Sequence, residues 1–180
     1  KRVTSIITLT TLFLFAILLP AAAQTKDWTV ADLNADNNLD PFGVEDQQEM
    51  ARVGSNANLN IVTLIDRERG PAQINFIEKN NIKKIKDMGE LDMGDYRELV
   101  KFARFIKENY PAKHYCFTIW NHGSGWKNKK VNSIFRGISY DDSSNNHITN
   151  AQLGQATAEI ANVLGQKLDI LNMDACLMQM

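Results

Sequence analysis

Three short apolar runs constrain this chain more than any other feature of it. Leu59–Ile65 (LNIVTLI) is β-branched and apolar on both parities, the pattern of a strand buried on both faces. Tyr115–Trp120 (YCFTIW) and Leu168–Met173 (LDILNM) read as two more interior strands, and Trp28–Leu33 as a short one before them. Amphipathic segments separate the runs. One helix is expected over Val44–Val53, closed by Gly54. A second spans Asp95–Asn109, with Tyr96, Leu99, Val100, Ala103, Ile106 and Tyr110 on one face and Pro111 ending it. A third starts at Thr149, where Gln152 three residues on completes a capping box, and runs to about Leu164 before Gly165. Ala72–Ile77 and Lys83–Asp87 read as a peripheral hairpin turned at Asn80–Asn81. Strands alternating with helices specify an α/β fold with a mostly parallel central sheet. Sites in such sheets form beyond the carboxyl ends of the strands.

The N-terminus lies outside that pattern. Lys1 and Arg2 precede an apolar run from Ile6 to Leu19, and Ala21, Ala22 and Ala23 follow it. This is the layout of a secretory signal peptide over residues 1–23. The run falls short of the roughly 20 residues that span a bilayer. Residues 24–180 then form one domain of an exported protein, secreted or periplasmic. The whole chain holds 20 Lys and Arg against 21 Asp and Glu. Without residues 1–23 the balance is 18 against 21, which argues against nucleic acid or an acidic membrane as partner.

Two of the interior runs end in residues that carry chemistry. YCFTIW leads into Asn121-His122-Gly123, and LDILNM leads into Asp174-Ala175-Cys176. A cysteine nucleophile needs a thiolate, a nearby base and donors for the oxyanion formed on attack. Cys176 stands where a strand gives way to the first turn of an expected helix, a position that favours the thiolate. His122 can move a proton at neutral pH. Gly123 and Gly125 clear side chains from its loop, so that a carbonyl could reach backbone N–H groups. His122 precedes Cys176 by 54 residues, near the roughly 50 of caspases. Cys116 and Cys176 could form one disulfide, as two cysteines in an exported chain often do. Yet Cys116 lies six residues before His122, about 20 Å back along its strand, and a disulfide needs Cα atoms within about 7 Å. If Cys176 sits beside His122, both thiols are free and Cys116 is buried.

Longer stretches are more specific. Tyr110-Pro-Ala-Lys-His-Tyr115, Trp120-Asn-His-Gly-Ser-Gly-Trp126, Arg136-Gly-Ile-Ser-Tyr-Asp-Asp142, Asp174-Ala-Cys-Leu-Met178 and Asn34-Ala-Asp-Asn-Asn-Leu39 together resemble the clostripain family of cysteine peptidases, over essentially all of residues 26–180. The resemblance implies a caspase-like α/β sandwich whose sheet continues with strands beyond Met180. It implies a His–Cys dyad, His122 and Cys176, without an obligatory third member, and an oxyanion held by the backbone N–H groups of Gly123 and Cys176. Asp174, two residues before the nucleophile, matches the acidic residue of the specificity pocket, so substrates would be peptides with Arg or Lys before the scissile bond. Capping the next helix is the other role open to Asp174. The loop holding Lys127, Lys129, Lys130 and Arg136 matches the self-cleavage region, with Arg136–Gly137 the favoured bond and Lys130 the second choice. The dyad requires no cofactor and no metal ligand set is expected, although some members use calcium.

The sequence departs from the family in its first strand, where Asp32 stands in place of an apolar residue. Two other readings compete with the peptidase: an inactive binding protein of the same fold, and a calcium module built on Asp32–Asp40. Asp32-Leu-Asn-Ala-Asp36 opens like an EF-hand loop, but the sixth position is Asn37 rather than Gly and the twelfth is Gly43 rather than Glu. Asp141 and Asp142 could contribute to a calcium site but are read as turn caps, His114 as a surface residue at a strand start, His147 as loop, and Trp120 and Trp126 as packing residues.

Overall fold

The computed structural model describes residues 25–34, 37–124, 137–176 and 178. The expected signal peptide, Gly125, Trp126, the lysines of the 127–130 stretch, Arg136 and the helix expected after Cys176 lie outside those residues. Among the described residues, eight strands and three helices follow one another as β1 (Lys26–Asn34), α1 (Asp40–Val53), β2 (Leu59–Ile65), β3 (Ala72–Glu78), β4 (Asn81–Gly89), α2 (Tyr96–Asn109), β5 (Ala112–Asn121), β6 (Gly137–Asp141), β7 (Asn146–Thr149), α3 (Asn150–Leu164) and β8 (Ile170–Ala175). Six form the main sheet in the order β4-β3-β2-β1-β5-β8. The pairs β1/β2, β1/β5 and β5/β8 are parallel, while β2/β3 and β3/β4 are antiparallel.

That order fixes where a site can form. From β1 the chain moves outward to β2, then returns to the other side of β1 for β5 and β8. The reversal between β1 and β5 makes their carboxyl ends a topological switch point. The helices follow from it. Right-handed crossovers running in opposite directions along a sheet cover opposite faces. Accordingly Ala51 of α1 packs on Ile61 and Ile77 on one face. On the other, α2 and α3 cover Ala31, Leu33, Val62, Leu64, Tyr115, Phe117 and Ile119. Burying such aliphatic and aromatic side chains contributes about 1.5–3 kcal/mol each.

The helix ends behave as the sequence leads one to expect. Asp95 caps α2 by accepting from Arg97 N–H, and Thr149 with Gln152 forms the reciprocal box at the start of α3. Gly54 ends α1 at φ 70°, where a side chain would also collide with the Lys79 backbone.

Several boundaries differ from expectation. Helix α1 begins four residues early because Pro41 sits in its first turn. The hairpin turns at Lys79–Asn80, with Glu78 pairing Asn81. Strand β1 is longer than the expected Trp28–Leu33, at nine residues, and pairs β2 without interruption from Trp28 to Asn34, Asp32 included. Strand β8 starts and ends two residues later than LDILNM, at Ile170–Ala175, and is the outermost strand among the described residues, with Ile170 47% exposed. The antiparallel pair β6/β7 was not anticipated from the sequence.

Candidate active site

Strands β5 and β8 bring the two candidate residues together. Their register aligns Trp120 with Asp174 and Asn121 with Ala175. The next residues along these parallel strands are His122 and Cys176, so the backbones that carry them leave the sheet side by side, about 4.8 Å apart. The following residue tightens the contact. A Cβ added to Gly123 would lie 2.5 Å from the Cys176 carbonyl oxygen and 2.6 Å from Met178 Cγ. Only glycine permits the histidine loop to approach the cysteine turn this closely. Cys176 is exposed and free. His122 is half-buried, and its Nε2 lies 2.7 Å from Asn38 Oδ1 in the loop that follows β1.

A buried amide cluster positions the histidine. Asn121, 3% exposed, accepts on its Oδ1 from His122 N–H at 2.5 Å, Tyr140 N–H at 3.1 Å and Asn37 Nδ2 at 2.9 Å. Its Nδ2 donates to the Tyr140 carbonyl at 3.1 Å, as does Asn37 Nδ2 at 2.9 Å. The reason lies in β6, where the pairing with β7 is irregular between Ile138 and Asp141 and Ser139 adopts φ 60°. Asn121 thereby stands in for a strand partner to the Tyr140 backbone, whose groups would otherwise be costly to bury. The start of β6 is tied down as well. Gly123 bridges Ile138, Gly137 N–H donates to Ser124 Oγ at 2.9 Å, and Tyr140 Oη donates to the same oxygen at 2.8 Å.

Asp174 lies on the face of β8 that looks toward α1. It is a strand residue two positions before the turn at Cys176, exposed, and next to a cavity of about 380 Å³. Asp32, Asp46, Glu49, Thr118 and Trp120 also line this cavity. Desolvation, followed by the charges of Asp174, Glu49 and Glu45, holds the Asp46 carboxyl above its ordinary range. Trp120, read from the sequence as a packing residue, also lines this acidic hollow, half-buried.

The other sequence candidates fall into place separately. Gly137 opens β6, while Arg136 lies outside the described residues. Cys116 is free but half-buried rather than buried. Burial raises its thiol pKa, outweighing a hydrogen bond with Thr118 that lowers it. Asp141 accepts from Ser144 N–H at 2.7 Å, the turn-capping role expected of it, and also from Met93 N–H at 2.8 Å in the segment before α2. His147 is a strand residue in β7 stacked on Tyr140, not loop. His114 pairs with Asp169 at 2.9 Å near the start of β5. Among the described residues no three His, Cys, Asp or Glu side chains gather as a metal would require. Sequence reasoning missed the roles of Asn37, Asn38 and Tyr140. The signal for the first two was the adjacent pair Asn37–Asn38, legible only once β1 and β5 are known to be neighbours, and Tyr140 had none.

An α/β sheet flanked by helices, with a histidine and a cysteine at adjacent parallel strand ends, defines the caspase-like class of fold. The family model described as the clostripain family matches residues 32–180, and the chain belongs to that family. It is 29% identical over 174 residues to clostripain of Hathewaya histolytica, covering 81% of this chain and 32% of that one. The chain thus spans about a third of the length of that curated relative. Its fold is similar to a secreted cysteine protease from Bacteroides thetaiotaomicron in complex with an irreversible peptide inhibitor (TM-score 0.68, 20% identity, 86% of this chain and 44% of that one). It is also similar to an inactive zymogen protease from Parabacteroides distasonis (TM-score 0.60, 20% identity, 86% and 43%).

Proposed function

We propose that this chain carries the catalytic dyad of an exported cysteine endopeptidase that cleaves after Arg or Lys and matures by cutting itself at Arg136–Gly137. The register that sets Asn121 against Ala175 carries the reading, because it delivers His122 and Cys176 to adjacent strand ends, beside the switch point between β1 and β5. His122 takes the Cys176 proton, and the thiolate attacks the scissile carbonyl to form a C–S bond. The N–H groups of Gly123 and Cys176 bind the oxyanion. Collapse breaks the C–N bond as the imidazolium protonates the leaving amine. His122 then deprotonates a water, which attacks the thioester, releasing the acid and regenerating the thiol. A substrate cation beside Asp174 would offset the mutual repulsion of the carboxylates lining that cavity. Export rests on the signal-like residues 1–23. No helix among the described residues is long and apolar enough to cross a membrane.

The test uses the full-length protein, its His122→Ala and Cys176→Ala variants, and peptide amides ending in Arg, Lys or a neutral residue. Activity should be confined to basic substrates and lost in both variants. N-terminal sequencing should find a fragment beginning at Gly137 in wild type but not in Cys176→Ala. Activity surviving either substitution refutes the dyad. The same cut in both proteins refutes self-processing alone.

A further inference from the structure

We infer that Asn38 is a positioning residue for the dyad: its side-chain oxygen accepts a hydrogen bond from Nε2–H of His122 and so keeps Nδ1 free to exchange a proton with Cys176. The inference rests on the reading of His122 as the base, and adds a third residue to a pair that the family resemblance treats as self-sufficient.

The contact joins residues 84 apart in sequence at 2.7 Å, across the switch point between β1 and β5. Asn38 is exposed, but its backbone is held from both sides. Before it, Asn37 is 1% exposed and donates to Asn121 Oδ1 and to the Tyr140 carbonyl, both at 2.9 Å. After it, Leu39 N–H donates to Asn37 Oδ1 at 2.9 Å, and Asp40 is anchored by Arg67 at 2.7 and 3.0 Å. The same Asn121 oxygen receives His122 N–H. One buried amide pair, Asn37 with Asn121, therefore fixes both ends of the Asn38–His122 contact. Loop, ring and strand end share a single reference point.

The chemistry favours an amide here. A neutral imidazole has one N–H, and the partner of one nitrogen decides whether the other is a base. An oxygen acceptor at Nε2 selects the tautomer with a lone pair on Nδ1. That acceptor remains suited to the imidazolium formed when Cys176 gives up its proton, so the contact is kept through the transfer. An amide oxygen is too weak a base to take the proton itself, so the charge stays on the ring next to the thiolate. Without the contact, the tautomer protonated on Nδ1 competes, and in it Nδ1 cannot act as base.

The full-length protein labelled with 15N-histidine provides a direct readout. In wild type, one-bond 1H–15N coupling at His122 is expected on Nε2, with Nδ1 unprotonated. Asn38→Ala should lose this preference and lower kcat by about tenfold to a hundredfold, with KM within about twofold. Asn38→Asp keeps an acceptor, so it should restore most of kcat, and its added charge should extend the basic limb of the pH–rate profile to higher pH. A proton on Nδ1 in wild type overturns the inference. So does Asn38→Ala with unchanged kcat and pH profile, or with a lowered melting temperature alone. In each case an inactive His122→Ala leaves the dyad reading standing. An active His122→Ala removes both.

Discussion

Replacing Gly123 with alanine tests the closeness of the two strand ends more sharply than deleting either candidate side chain. The new methyl would stand 2.5 Å from the Cys176 carbonyl oxygen, 2.6 Å from Met178 Cγ and 3.1 Å from Ala175 Cβ. The Met178 side chain can swing aside; the Cys176 carbonyl is backbone and moves only with its turn. Reaching ordinary contact requires a displacement of about 0.5–1 Å. Overpacking of this kind costs about 1–3 kcal/mol of stability. Moving a nucleophile by about 1 Å from its base costs about a hundredfold in rate, close to 3 kcal/mol in transition-state terms. The assay is kcat/KM of the full-length enzyme on a peptide amide with Arg before the scissile bond, alongside thermal unfolding. Gly154→Ala is the control, since a Cβ at that position in α3 meets nothing within 4 Å. The control should be neutral, or stabilised by about 0.4–1 kcal/mol. Gly123→Ala retaining kcat/KM within about threefold of wild type would refute the close juxtaposition of His122 and Cys176.

Asp174→Asn in the full-length protein should weaken cleavage after Arg and Lys by about 2–4 kcal/mol in transition-state terms, and neutral substrates should be unaffected. Equal wild-type turnover of basic and neutral substrates would count against Asp174. Brief iodoacetamide treatment at pH 7 should modify exposed Cys176 and spare Cys116, whose thiol burial pushes up. Peptide mapping that finds comparable labelling at both would contradict this. Asp169 is held below the ordinary carboxylate range, first by the Tyr115 N–H and then by the His114 ring. A depressed carboxylate stabilises above its unfolded pKa and loses that contribution as pH falls through its folded one. The stability gap between wild type and Asp169→Asn should therefore be full at pH 7 and close below about pH 4, as urea midpoints would show. A gap that widens on acidification would reverse the assignment.

The fold was legible where its signal is local. An amphipathic helix with Asp95 before it and Pro111 after it, or a capping box at Thr149 and Gln152, is decided by residues within one or two turns of each other. LNIVTLI was legible for the same reason, since its apolar character on both parities admits burial on both faces and little else. The pair β6/β7 had no such signal. Its four- and five-residue strands contain Ser139 at positive φ and an irregular pairing, and Tyr140 bonds to a side chain in place of a strand. Neither period 2 nor period 3.6 survives in such a segment.

The site divides along the same line. His122 and Cys176 could be singled out because each follows an apolar run, and parallel strands of equal direction deliver their ends to one edge of the sheet. Asn38 could not, because its contact depends on which strand lies between β2 and β5, a fact of sheet order rather than of local pattern. Placing β1 there brings its following loop to the histidine, and the buried Asn37–Asn121 pair then sets the loop's height. Burying two amides is unfavourable unless their donors and acceptors are matched. Here they are matched by each other and by the backbone of Tyr140, so the register of three segments is specified by polar atoms, whereas apolar packing alone would tolerate sliding. His122 and Cys176 thus depend on their neighbours at two levels: the sheet brings the two strand ends together, and the amide cluster sets the loop that meets the histidine ring.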